Sequence, residues 1–222
     1  MKFKGETLFF IGIIVISVLV VGGALLFGGS GGDGGSVDTE KLVTKGAYTK
    51  GPDDAKATLV EFADFQCPAC AAAFPVIEEI TNEYKDKLKF VYRHFPLPSH
   101  QHARLAAQSA EAAGEQGKFW EYYSVLYDRQ TAWSASSDTR KLFESYAKEL
   151  GLDLKKFEET IDANKHLAKI NADAKDGESF GVNSTPTFFL NGERMVGVPD
   201  KEVLKSKINK ILTETKSATS SD

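Results

Sequence analysis

Only two cysteines occur in the 222 residues of this chain, and they stand three apart as Cys67-Pro68-Ala69-Cys70. Residues three apart on a helix approach to roughly 5 Å, within the roughly 4.4–6.8 Å that a disulfide spans between Cα atoms. A bond there closes so small a loop that its entropic stabilisation is slight beside that of a long-range staple. A purely structural disulfide is therefore the weaker reading. Pro68 suits the first position of a helix, where its missing N–H would have had no partner, and this leaves Cys67 at the cap. Free backbone N–H groups and the positive end of the helix dipole favour a thiolate at that position. Cys70 falls within the first turn, where access is poorer. An exposed nucleophile, Cys67, and a sheltered resolving thiol, Cys70, are what reversible thiol–disulfide exchange requires. A C-x-x-C can also form half of a zinc site, and the chain holds four histidines, His94, His100, His102 and His166. His100-Gln101-His102 on a loop entering a helix reads more readily as a surface cap, so zinc or copper is the minor alternative.

The elements that must position this pair follow from hydrophobic patterning. Thr58-Leu59-Val60-Glu61-Phe62-Ala63-Asp64-Phe65 reads as a strand, apolar on both faces at its centre, as inside a sheet covered by helices. A helix is predicted from about Cys67 to Tyr84, with Val76, Ile77, Ile80 and Tyr84 on one face, and a strand over Lys89-Phe90-Val91-Tyr92-Arg93. That order and spacing predict a parallel βαβ unit with a right-handed crossover. From about His100 to Asp176 five helices are predicted, marked by Leu105 to Ala113, Phe119 to Tyr127, Leu142 to Leu150, Leu154 to Ile161, and Leu167 to Ala174. The aromatic run Phe119-Trp120-Glu121-Tyr122-Tyr123 has helical spacing and reads as core packing. Strands return over Thr187–Leu190 and Met195–Val198, joined by Asn191-Gly192-Glu193-Arg194, a hairpin signal. A last helix is predicted from a cap at Asp200 to Leu212. The fold class is α/β with an inserted helical subdomain, and there is no internal repeat.

Ahead of this domain the composition changes. Leu8 to Phe27 is a run of 20 mostly apolar residues, and Thr7 to Phe27 carries no charge. Roughly 20 residues span a bilayer as a helix, whereas a cleavable signal has a core of about 7–15 followed by a small-residue cleavage site. No clear site of that kind follows, so the reading is one uncleaved transmembrane signal-anchor over residues 7–27 behind a cytoplasmic 1–6. Residues 28–36 form a glycine/serine linker, and ten of the 19 glycines lie in the first 35 residues. Lys2 and Lys4 precede the span and only Asp33 follows closely, an asymmetry that exports the domain 37–213. Residues 214–222 read as a polar, frayed tail. With 27 basic against 31 acidic residues and a net charge of −4, the chain lacks the basic excess that nucleic acid requires. Two cysteines exclude a disulfide scaffold.

With these elements in place, residues from about 50 to 213 resemble the thioredoxin superfamily, in its DsbA-like branch. Besides the Cys67-Pro68-Ala69-Cys70 motif, Glu61 lies six residues before Cys67, where that branch carries a buried acid, and Pro75 matches its helix-kinking proline. Ser184-Thr185-Pro186-Thr187 is similar to the loop bearing the family's cis-proline, and the helical block matches the DsbA-type insertion. Phrases such as Tyr92-Arg93-His94-Phe95-Pro96-Leu97 and Gln116-Gly117-Lys118-Phe119-Trp120 resemble the membrane-anchored or Gram-positive relatives. The resemblance implies a thioredoxin-like fold acting on protein thiols or disulfides. Cys67 is then the nucleophile, Cys70 the resolving thiol, and Glu61 a buried acid exchanging a proton with Cys70. Thr185 and Pro186 are implied to pair with extended substrate and Pro68 and Ala69 to line its path, with the cis-proline blocking metal between the thiolates. No cofactor and no metal is expected. Extracytoplasmic placement favours oxidation of substrate thiols, with a membrane-embedded, quinone-linked thiol oxidase as recharging partner. Ala69 departs from the histidine of the best-known oxidases and removes a polar group that could support the thiolate, so moderate oxidising strength is expected. Reductase or isomerase activity and metal binding are the alternatives. A monomer is expected, since residues 37–50 are too few for an added dimerisation domain.

Overall fold

The computed structural model describes residues 36–218. The expected transmembrane segment 7–27, the cytoplasmic residues 1–6 and nearly all of the linker 28–36 lie outside the described residues, as do the last four residues of the tail. No helix among the described residues is long and apolar enough to cross a membrane. In chain order the elements are α1 (Thr39–Leu42), β1 (Tyr48–Lys50), β2 (Ala57–Ala63), α2 (Pro68–Glu83) and β3 (Leu88–His94). A helical block follows: α3 (Ala103–Gly114), α4 (Phe119–Asp128), α5 (Gln130–Ser134), α6 (Thr139–Glu149), α7 (Leu154–Asp162) and α8 (Leu167–Ser179). The chain closes with β4 (Thr187–Leu190), β5 (Glu193–Val196) and α9 (Lys201–Ala218).

The five strands form one sheet in the order β1-β3-β2-β4-β5. β2 and β3 run parallel, from Ala57 opposite Leu88 to Ala63 opposite His94, and every residue of β2 is buried. This is the βαβ unit the spacing predicts. β4 lies antiparallel against the other side of β2, placing Glu61 between Tyr92 and Phe188. Side chains alternate along β2. Leu59 joins Ile77, Ile80, Phe90, Leu204 and Ile208 under α2 and α9, whereas Val60 and Phe62 join Leu42, Val91 and Phe189 on the opposite side. Glu61 shares the parity of Leu59 and Ala63, which aims its carboxyl under the start of α2. On the far side the buried Arg93 fixes α8 and α1 to β3, donating to Asp173 (2.6 Å), Asp176 (2.7 Å) and the Leu42 carbonyl (2.8 Å).

Several expected boundaries change. β2 stops at Ala63 rather than Phe65, because the Asp64 carboxylate accepts from the Gln66 N–H (2.7 Å) and bends the chain into an Asx-turn. The helical block holds six helices over 103–179, not five over 100–176. The extra one, α5, has only five residues, and its Trp133 is fully buried with its indole N–H donating to the Leu126 carbonyl at 2.7 Å. α1 and β1 were not expected; each is too short to show a period, and β1 is held by antiparallel pairing of Tyr48 with Tyr92. The hairpin turn is two residues, with φ of 45° at Asn191 and 86° at Gly192, so Glu193 and Arg194 belong to β5. A Cβ on Gly192 would lie 2.0 Å from the Val37 carbonyl, so glycine is required there by space as well as by φ. Asp200 caps α9 as expected, accepting from the Val203 N–H at 2.9 Å. The helix continues to Ala218, past the expected end near 212, because no glycine or proline interrupts it.

Candidate active site

Cys67 is the N-cap of α2, with extended backbone (φ −71°, ψ 122°), Pro68 following at the first turn and no side-chain cap hydrogen bond. The unpaired N–H groups of the helix start therefore face the sulfur instead of a capping oxygen. Cys67 keeps 7% of its surface exposed and Cys70 none, so the expected exposed nucleophile is largely covered, though still the more accessible of the two. Its neighbours Pro68 and Ala69 are exposed and half-buried. Both thiols are free. Pro75 lies inside α2, as expected.

The other side of the site comes from the loop before β4. The Thr185–Pro186 peptide bond is cis. The Cys67 thiol donates to the Thr185 carbonyl at 3.3 Å, and the Thr185 hydroxyl is buried at the site. Pro186 in turn accepts the Gly197 N–H at 2.9 Å, which ties the loop to the segment after β5.

The two sulfurs are electrostatically unlike. Donation from the Cys70 thiol pulls the Cys67 pKa down to about 5; burial opposes this, and the Thr185 side chain with the Ala69 and Cys70 N–H groups adds to it. Burial, the Cys67 sulfur and the Glu61 charge push Cys70 well above an ordinary thiol. Glu61 is 1% exposed, and its Oε2 has no hydrogen-bond partner among the described residues. Burial, helped by the charge of Glu78, raises its pKa to about 8. Around it stand Tyr92, Tyr123 and Tyr127, all buried and all raised well above the ordinary phenol, largely by burial. The aromatic run from Phe119 is thus core packing, and it also places tyrosine hydroxyls within the electrostatic reach of Cys70 and Glu61.

The structure brings together every residue the sequence singled out on the redox side: Cys67, Cys70, Glu61, Thr185, Pro186, Pro68 and Ala69. The histidines pair with carboxylates or brace the turn, the His102 N–H donating to the Gln66 side chain at 2.6 Å. His94 pairs with Glu111 (2.9 Å), His100 with Asp64 (2.7 Å) and His166 with Glu115 (2.8 Å). Among the described residues no three His, Cys, Asp or Glu side chains stand together as a metal site. Sequence reasoning missed two supports of the active-site turn. Asp64 also accepts from the Leu97 N–H (2.8 Å), joining the turn to the loop after β3. Gln130, on the unexpected helix α5, donates to the Phe65 and Cys67 carbonyls. The Asp-x-x-Cys spacing could have flagged the first; nothing local to Gln130 flags the second.

A family model described as thioredoxin matches residues 44–210. Among curated proteins, the Na(+)/H(+) antiporter NhaA 3 of Salinispora tropica is 37% identical over 162 residues, which is 72% of this chain and 24% of that protein. The chain thus spans about a quarter of the length of the curated relatives it matches. Among solved structures, the thiol-disulfide exchange protein alpha-DsbA2 of Wolbachia pipientis superposes with a TM-score of 0.68 at 23% identity, covering 78% of this chain and 91% of that one. Oxidised BdbD of Bacillus subtilis gives 0.67 at 24%, covering 81% and 97%. At these identities the likeness is one of fold.

Proposed function

Because the chain belongs to the thioredoxin family, we propose that it is a thiol–disulfide oxidoreductase that oxidises protein cysteines outside the cytoplasm through Cys67 and Cys70. The observation that carries this reading is the asymmetry of the pair: one thiol drawn down to about 5 at a helix cap, the other raised by complete burial. In the oxidised form a substrate thiolate attacks the Cys67 sulfur, forming a mixed disulfide and releasing Cys70. Glu61, neutral below about 8, supplies the proton that the Cys70 thiolate takes up. A second substrate thiolate then attacks the substrate sulfur of the mixed disulfide, and Cys67 leaves as a thiolate. Two electrons pass from the substrate dithiol to the pair. A low-pKa thiolate stabilises the reduced form and so makes the disulfide a stronger oxidant.

The Thr185 carbonyl beside Cys67 suits backbone pairing with an extended substrate. The fold shared with a thiol-disulfide exchange protein agrees with this chemistry. Placement outside the cytoplasm rests on the apolar run 7–27 and the lysines before it, and the match to a quarter of an antiporter is in keeping with a domain held at a membrane. A quinone-linked thiol oxidase in the same membrane would take the two electrons and remake the Cys67–Cys70 bond, and a single copy carries a complete site. Trapping tests the reading. In the full chain Cys70→Ala should accumulate mixed disulfides through Cys67, and the added Cys67→Ala change should abolish them. A Cys70→Ala chain that accumulates no adduct contradicts it.

A further inference from the structure

We propose that Gln130 is a positioning residue for the redox pair, its carboxamide holding the Phe65-Gln66-Cys67 turn so that the Cys67 sulfur faces Thr185 and the start of α2. This rests on the redox reading above. The Gln130 Nε2 donates to the Phe65 carbonyl at 2.7 Å and to the Cys67 carbonyl at 2.9 Å, and the residue is 8% exposed. A primary amide has two N–H donors and both are spent on carbonyls that flank Gln66. The Cys67 carbonyl already accepts the first helical bond, from the Ala71 N–H at 3.2 Å. Gln130 fills its second lone pair. Phe65 packs its ring against Tyr92, Tyr123 and Tyr127, so its backbone is set by core and clamp together.

The rest of the turn is held from the end of β2 and from the cap of α3. Asp64 accepts the Gln66 N–H, its carbonyl accepts the Cys67 N–H at 3.0 Å, and the Gln66 side chain accepts the His102 N–H at 2.6 Å. Gln130 is the contact that reaches the Phe65 and Cys67 carbonyls from within the helical insertion. It is the first residue of α5, whose Trp133 is anchored in the core, so the insertion has a fixed edge from which to hold the Cys67 backbone.

The test is a titration of the Cys67 thiolate by its ultraviolet absorbance in the reduced full chain, with the iodoacetamide alkylation rate read alongside. Gln130→Met keeps length and removes both donors; Gln130→Glu keeps shape and replaces the donor nitrogen with oxygen. Both should raise the Cys67 midpoint by about one unit, a roughly tenfold fall in thiolate and in alkylation at pH values below both midpoints. Thr139→Val serves as the control for mere structural damage: it removes a buried bond, 2.9 Å, to the Trp133 carbonyl at the far side of the same helix. The control should unfold more easily yet keep the parental midpoint. Parental midpoints in both Gln130 variants, or an equal shift in Thr139→Val, overturn the proposal. A parent chain whose own Cys67 titrates as an ordinary thiol overturns instead the redox reading on which it rests.

Discussion

Burial alone would push the Cys67 thiol up, as it does Cys70; donation from the Cys70 thiol, with Thr185 and the helix-start N–H groups, reverses the direction at one sulfur and not the other. A shift from an ordinary thiol's 9.0 to about 5 favours the reduced fold by about 3 kcal/mol at pH 7. The sign follows from a depressed acid. The stabilisation is complete above the ordinary thiol range and is lost as pH falls through about 5. The stability of the reduced chain relative to its disulfide form should therefore drop by about 3 kcal/mol between pH 7 and pH 4, as read by denaturant unfolding of both forms. Glu61 has the opposite sign. Its folded pKa is raised to about 8, so its cost to the fold is absent below 4.5, grows as pH rises toward 8 and is constant above. Glu61→Gln should then be more stable than the parent at pH 7, by at most about 3 kcal/mol, with the gain gone at pH 4. The same change should slow disulfide transfer roughly tenfold or more, since an amide cannot pass the proton. Thermal melts at the two pH values and stopped-flow exchange with a dithiol peptide check the two halves.

Among the elements, the long ones and those with turn chemistry were legible. The apolar centre of β2, the Cys67-Pro68 start of α2 and the Asn191-Gly192 hairpin each announce themselves within a few residues. α1, β1 and α5 do not, because their reasons lie far along the chain. Tyr48 of β1 is placed by stacking on Phe119, ring centroids 3.5 Å apart, and by donating to Glu111 at 3.2 Å. Its neighbour in space is Gly114 on α3, where a Cβ would fall 2.0 Å from the Tyr48 hydroxyl oxygen. Gly114→Ala has good helix propensity and should nonetheless destabilise by about 1–3 kcal/mol through this overlap. Differential scanning calorimetry should show the midpoint lowered by several degrees. The site divides in the same way. Glu61, Cys67, Cys70 and Pro186 were readable from spacing and from resemblance to a family, whereas Gln130 belongs to a helix whose five residues carry no periodic signal. The expectation of an exposed Cys67 erred because a linear motif does not show the Thr185 loop closing over it.

At the scale of the whole molecule, an inserted helical block on a five-stranded sheet meets the redox turn through Gln130, through His100 and His102 at the cap of α3, and through a wall of tyrosines. The proposed arrangement places this domain outside the cytoplasm on an N-terminal anchor. Full-length protein should accordingly stay with membranes through alkaline carbonate extraction, and the domain should be cut by protease added to the outer face; release by carbonate contradicts the anchor. The direction of electron flow is a property of the complete redox pair. The measurement that tests it most directly is equilibration of the Cys67–Cys70 couple with glutathione. A reduction potential between about −120 and −230 mV, the range of known oxidants and exchangers, is expected. A value at or below thioredoxin's about −270 mV would contradict it and make the pair a reductant.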